Sequence, residues 1–201
     1  MSKIKEFIKK NKIFSLLIVV AIAIISVGIF APIIAPYSPF EGNLSDALQP
    51  PSSEHIFGTD KLGRDVFSRV VYGTRISLTA SLVLVISIFT IGTTLGILSG
   101  YFGGIVDEII MRISDIMISF PGMVLAISLA GIMGSSVDNA VIAIMVVSWT
   151  KYARLSRSLV LKIKETDYIY AAKISGCKTI HIITRHIIPN IIPTLITTAT
   201  T

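Results

Sequence analysis

Ile76-Ser-Leu-Thr-Ala-Ser-Leu-Val-Leu-Val-Ile-Ser-Ile-Phe-Thr-Ile-Gly-Thr-Thr-Leu-Gly-Ile-Leu-Ser-Gly100 contains no charged residue. As a helix rising about 1.5 Å per residue, it is long enough to cross the roughly 30 Å of hydrocarbon in a bilayer. This run makes the chain an integral membrane protein, and its fold class an all-α, polytopic transmembrane helical bundle. Gly92, Gly96 and Gly100 recur every fourth residue and so fall on one helical face. Small residues at that spacing let two helix backbones approach closely in lipid, so these three are expected to form a helix-packing face.

Toward the N-terminus, residues 36–75 read as an external loop. Pro36, Pro39, Pro50 and Pro51 keep its first part extended, and its charges nearly cancel: Lys61, Arg64, Arg69 and Arg75 against Glu41, Asp46, Glu54, Asp60 and Asp65. Before it, residues 13–35 form an apolar first span. Lys3, Lys5, Lys9, Lys10 and Lys12 precede that span. Basic residues beside a span favour the cytoplasmic side, so residues 1–12 are read as a cytoplasmic N-terminus. The run exceeds the roughly 7–15 residues of a signal-peptide core and lacks a small-x-small cleavage site, so it is read as retained.

Toward the C-terminus, a third span is expected over 113–133, with Pro121-Gly122 inside it. Proline removes a helical hydrogen bond and opens or kinks the helix, which makes Pro121 a candidate pathway kink. Gly134-Ser-Ser136 turns the chain, and Ala140–Trp149 is the core of a fourth span. Asp107, Glu108, Arg112 and Asp115 are read as a cytoplasmic-interface group, with Glu108 and Arg112 at i,i+4 spacing. Residues 151–190 turn strongly basic. Lys151, Arg154, Arg157, Lys162, Lys164, Lys173, Lys178 and Arg185 face only Glu165 and Asp167, so this stretch is cytoplasmic. Four spans return the chain to its starting side. A further apolar run from Ile187 to Thr201 is too short to span, so the bundle, residues 76–201, is expected to be truncated in its fifth span and to continue in the full-length protein.

Composition agrees. Of 201 residues, 52% are hydrophobic and 15% charged, against about 25% charged in soluble domains. The net charge of +6 sits beside apolar runs, which points to lipid rather than nucleic acid. Cys177 is the one cysteine and excludes an internal disulfide. There is no Gly-x4-Gly-Lys-Ser/Thr phosphate loop, and His55, His181 and His186 lie too scattered for one metal site. No catalytic, cofactor or metal site is expected.

The basic 151–190 stretch is far longer than a connection needs to be. Ile163, Ala171, Ala172 and Ile174 alternate with lysines in a helical manner, and Gly176 is a helix stop. Such a loop suggests a docking surface. Tyr170-Ala171-Ala172, three residues, Gly176, nine residues and His186-Ile187-Ile188-Pro189 resemble the Glu-Ala-Ala loop of permease subunits of binding-protein-dependent ABC importers. Tyr170 replaces the usual glutamate, and His186 and Ile188 replace the later isoleucine and leucine, as in the peptide and nickel branch. Phe57-Gly-Thr-Asp60-x-Leu-Gly63-Arg64-Asp65-x-x-Ser68-Arg69, followed by Tyr72-Gly73-x-Arg75-x-Ser77-Leu78, is similar to the segment before the second span in dipeptide, oligopeptide and nickel permeases. Val147–Lys162 is similar to nickel-type members.

The resemblance implies a type I importer architecture in the cell's inner (cytoplasmic) membrane. It implies a second permease subunit as partner, two cytoplasmic ATP-binding subunits, an external solute-binding protein, and peptides or a nickel chelate as substrate. It also implies an ATPase-coupling loop carrying Asp167, Tyr170, Ala171, Ala172, Gly176 and Pro189, with a short coupling helix over about 167–175. The protein itself would not hydrolyse ATP. The alternatives from other classes are a stand-alone carrier or channel driven by an ion gradient, which would need ionisable groups within its spans, and a membrane hydrolase using Ser135 or Ser136, for which no nearby histidine base is in sight.

Overall fold

Helix α1 covers Lys12–Ile29 and is exposed along almost its whole length, with only Gly28 buried. That is how a helix looks when its partner is lipid. The computed structural model describes residues 11–199, so the cytoplasmic N-terminus expected over 1–12 lies outside the described residues apart from Asn11 and Lys12. The first span is not one helix to Ala35. It breaks at Phe30, and a short α2 resumes at Ala31–Ile34 with Pro32 in its first turn. Proline has no N–H for the preceding turn, and its ring crowds the carbonyl four residues back.

The chain divides into two units, Met1–Ser81 and Leu82–Thr201. In the first, the segment after α2 is held by side-chain-to-backbone hydrogen bonds rather than by a core. Asp60 accepts from the backbone N–H groups of Leu62 (2.8 Å) and Arg64 (3.1 Å), from Arg64 Nε (2.9 Å) and from the Arg69 guanidinium. Gly63 sits at φ +70°, and a Cβ there would lie 1.8 Å from the Asn43 carbonyl oxygen. No other residue fits that place.

Asp65 ends this segment and starts the next helix. Its carboxylate accepts from Ser68 N–H at 2.7 Å and faces His55 Nδ1 at 3.0 Å. Asp at the N-cap bonded to the third helical N–H is a strong start signal. Helix α3 therefore begins at Val66, not at Ile76, and runs 37 residues to Phe102. The external loop expected over 36–75 is shorter by that difference, and Arg69 and Arg75 lie on the helix.

The geometry carries a pH prediction. The Arg64 guanidinium holds the Asp60 carboxyl well below the ordinary carboxylate range. Burial alone would raise Asp65, but hydrogen bonds from Ser68 and His55 outweigh it and bring it down. A carboxylate with a depressed folded pKa contributes stability that is complete above its unfolded value, about 3.9, and is lost as pH falls through the folded value. Protection of the amides across residues 58–66, relative to their unstructured exchange rates, should therefore be high at pH 6 and fall below about pH 4. Asp65→Ala should cost about 1–2 kcal/mol by loss of the cap and flatten that acid response. Unchanged exchange in the variant would refute the cap.

In the second unit, α4 (Gly104–Ser119) and α5 (Gly122–Met133) replace the single third span. Their axes differ by 91°. The chain is extended at Phe120 and Pro121, so the proline breaks the helix outright rather than kinking it. The charged group 107–115, placed before the span by its polarity, is itself helical. Glu108 and Arg112 pair at 3.8 Å on an exposed face. Helix α6 (Val137–Lys164, 28 residues) starts at Ser136, whose hydroxyl accepts from Asp138 N–H. It continues without interruption through Lys151, Arg154 and Arg157. The stretch 151–190 is therefore mostly helix, because nothing between Val137 and Lys164 is Gly or Pro.

Helices α1 and α3 are long and apolar enough to cross a membrane, and the bent pair α4–α5 makes a third candidate if taken as one span. The expected fourth span falls on the apolar first half of α6. Beyond α6 come α7 (Asp167–Ile174), α8 (Thr179–Ile182), a widened π-type turn (Ile183–Ile187) and α9 (Ile188–Ala199). The π-type turn ends two residues before Pro189, where the missing N–H would otherwise disrupt a regular turn. The core of this unit joins Ile97 and Tyr101 of α3, Val160 of α6 and Ile169 of α7 to Ile182, Ile183, Ile187, Ile191 and Leu195.

Candidate functional site

Helix α7 is short and bounded by two strong signals. At its start, the Thr166 carbonyl accepts from Ile169 (3.0 Å) and Tyr170 (3.2 Å), and Asp167 in the first turn complements the helix dipole. At its end, Gly176 adopts φ +77°. The Cys177 N–H reaches the Ala172 carbonyl and the Gly176 N–H reaches that of Lys173, both at 3.0 Å. These two bonds form a Schellman motif, which requires a left-handed residue at the glycine position. Cys177 and Ala172 then pack together against the core.

One residue anchors the helix: Ile169 is fully buried. Around it, Asp167, Tyr170 and Ala171 are exposed and Ala172 is half-buried, while Ile174 is 87% exposed. The eight-residue helix is held through one side and leaves Tyr170, Ala171 and Ile174 uncovered on the other. Five of the six coupling-loop residues thus sit together on α7 and its cap. Pro189 does not; it lies in the first turn of α9 and is exposed. Tyr168 links the two places, since its ring lies 6.2 Å from that of His186 and its hydroxyl 3.5 Å from Asn190 Nδ2.

The glycine face of α3 lies against α6. A Cβ on Gly92 would come within 2.4 Å of the Trp149 carbonyl oxygen, and one on Gly96 within 2.3 Å of that of Ala153. Gly100 faces Val160 and Arg157 at 2.9–3.0 Å. Backbone touches backbone here, as small-residue packing requires.

Sequence reasoning missed the polar clamp beside this seam. Arg157 of α6 donates Nε and Nη2 to the two oxygens of Asp107 on α4, each at 2.5 Å. The buried Ser99 hydroxyl of α3 donates to the same carboxylate. Arg154 donates to the Ser114 hydroxyl at 3.1 Å and to Asp115. A signal was available: arginines three apart in a helix that begins apolar need partners.

Residues 92–201 match the family described as binding-protein-dependent transport system inner membrane component. The chain belongs to that family. Residues 7–51 also match the N-terminal TM domain of oligopeptide transport permease C. The dipeptide transport system permease protein DppC of Alkalihalophilus pseudofirmus is 44% identical over 96% of this chain and 64% of its own length. The oligopeptide transport system permease protein OppC of Bacillus subtilis is 35% identical over 96% and 63%. The nickel transport system permease protein NikC of Escherichia coli is 35% identical over 82% and 60%. The chain thus spans just under two thirds of the length of these relatives. The branch read from Phe57–Leu78 and Tyr170–Pro189 is the one the comparisons return, and family members are inner membrane components.

Proposed function

We propose that this chain is a permease subunit of an ATP-driven importer, forming half of the translocation pathway beside a second permease. Two cytoplasmic ATPase subunits would engage α7, and an external solute-binding protein would deliver substrate on the opposite side. The N-terminus lies in the cytoplasm and α6 carries the fourth span. Peptides are the favoured cargo, because the dipeptide permease relative is 44% identical and the nickel relative 35%.

The observation that carries this reading is α7 itself. It is fixed to the bundle by Ile169, capped at its C-terminal end, and turned outward with Tyr170, Ala171 and Ile174 uncovered. A rigid short helix of this kind can convert closure of the ATPase pair into reorientation of the spans, a two-state element biased by a remote ligand. The single native cysteine, Cys177, is half-buried against the core and makes a poor reporter. Ile174→Cys in a Cys177→Ala background of the full-length protein serves better. With single cysteines around the cleft of the partner ATPase, an ATP-sensitive disulfide is expected. Failure at every cleft position, with both proteins present in the membrane, would favour the stand-alone carrier.

A further inference from the structure

Two lysines from two different helices converge on one ring. Tyr101, in the last turn of α3, is 9% exposed. Lys164, the final residue of α6, donates to the Tyr101 carbonyl at 2.6 Å and places Nζ 5.7 Å from the ring centroid. Lys173 of α7 places its Nζ 5.9 Å from the same centroid and 5.5 Å from that of Tyr170. Both distances lie within cation–π range. The ring also packs in the core beside Ile97, Val160 and Ile169.

The connections around α7 explain why this matters. Glu165–Thr166 separates it from α6, and Ser175–Lys178, with the left-handed Gly176, separates it from α8. With a short break on each side, α7 can tilt without unfolding either neighbour. Its movement reaches the bundle through side chains as well as through the main chain at Thr166, whose N–H donates to the Ile163 carbonyl at 3.0 Å. Ile169 supplies an apolar pivot, which resists separation but not rotation. Tyr168 leads to α9 through His186 and Asn190. Lys173 leads to Tyr101, and Tyr101 ends the long helix α3. Gly103 and Gly104, both at positive φ with open space where a Cβ would go, follow directly and turn the chain into α4, which Asp107 ties back to this end of α3 through Ser99.

We propose that the Lys173–Tyr101 contact is the positioning link that transmits tilting of α7 to the cytoplasmic end of α3, with Lys164 holding the ring in place. The inference rests on the coupling role proposed above for α7. Lys173 keeps one face on Tyr170, at the outer side, and one on Tyr101, at the inner side, so force applied to the exposed surface reaches a buried ring.

The test uses the full-length permease in its complete importer, reconstituted in proteoliposomes, with solute uptake and ATP hydrolysis measured on the same vesicles. Tyr101→Leu and Lys173→Gln should each lower uptake per ATP hydrolysed by about threefold to tenfold, as loss of a half-buried cation–π contact implies. Tyr101→Phe and Lys173→Arg keep ring and charge and should restore the ratio. Lys173 is only half-buried, so its variants report even if Tyr101→Leu folds poorly. An unchanged ratio in Lys173→Gln, or equal loss in Lys173→Arg, would overturn the link. The Ile174→Cys disulfide separates the two levels: its presence with an unchanged ratio sinks only this link, whereas its absence in the Cys177→Ala background with Tyr101 and Lys173 intact sinks the coupling reading itself.

Discussion

Gly96→Ala is expected to destabilise the bundle by about 1–3 kcal/mol, and larger side chains to prevent assembly altogether. The added methyl would sit 2.3 Å from the Ala153 carbonyl oxygen and 2.6 Å from Ser156 Cβ. The first obstacle is main chain, so no rotamer change removes it. Gly92→Ala meets the Trp149 carbonyl at 2.4 Å and should behave alike. At Gly100 the nearest atoms are Val160 Cβ at 2.9 Å and the Arg157 carbonyl at 3.0 Å, so that substitution should cost less. Gly131 has nothing within 4 Å of its Cβ position. Gly131→Ala should be neutral or stabilising by up to about 1 kcal/mol through helix propensity. Thermal unfolding in detergent would rank the four. Ser156→Gly should not rescue Gly96→Ala, because the carbonyl stays where it is. A native-like midpoint for Gly96→Ala would mean that the two helices separate freely and that the seam contributes nothing.

The seam was legible because its cause is local. Three glycines at one spacing on one apolar run state a packing face without naming the partner, and only the fold supplies Trp149, Ala153 and Val160. Element type was legible for the same reason: runs such as 13–35 and 76–100 have no water-soluble option. Boundaries were not. Asp107, Glu108, Arg112 and Asp115 were read as an interfacial group leading into a span over 113–133, yet charge opposes burial and not helix formation, and α4 runs unbroken from Gly104 to Ser119. Polarity likewise hid how far the helix beyond Trp149 extends, since α6 runs on to Lys164. The start of α3 was missed at Asp65 because a cap was read as one more loop charge. Pro121 was recognised as a disruption, but a sequence gives no angle, and 91° is a break. Least accessible were contacts between residues far apart in the chain, such as Lys164 with Tyr101.

Arg157→Met should destabilise the bundle by about 2–3 kcal/mol. Breaking a buried pair by removing one partner costs roughly 3–5 kcal/mol when the survivor is fully buried. The Arg157 and Asp107 side chains are 33% and 21% exposed, so solvent screening lowers that figure. Arg154 and Asp115 form a similar-looking pair one turn away, but at 45% and 58% exposure they should contribute less than about 1 kcal/mol. The difference is one of surroundings. Asp107 also accepts from Ser99, which is fully buried, so one carboxylate joins the ends of α3, α4 and α6. Arg157→Met would strand that carboxylate against the helix seam with a single neutral donor. Asp107→Asn in the same chain removes the stranded charge and should recover part of the loss. A double-mutant cycle on unfolding midpoints would then give a coupling energy well above that of Arg154 with Asp115. If the two cycles came out equal, burial would not be what sets the strength of these clamps. If Arg157→Met alone were silent, the three helix ends would be held by the glycine seam and the apolar core without help from charge.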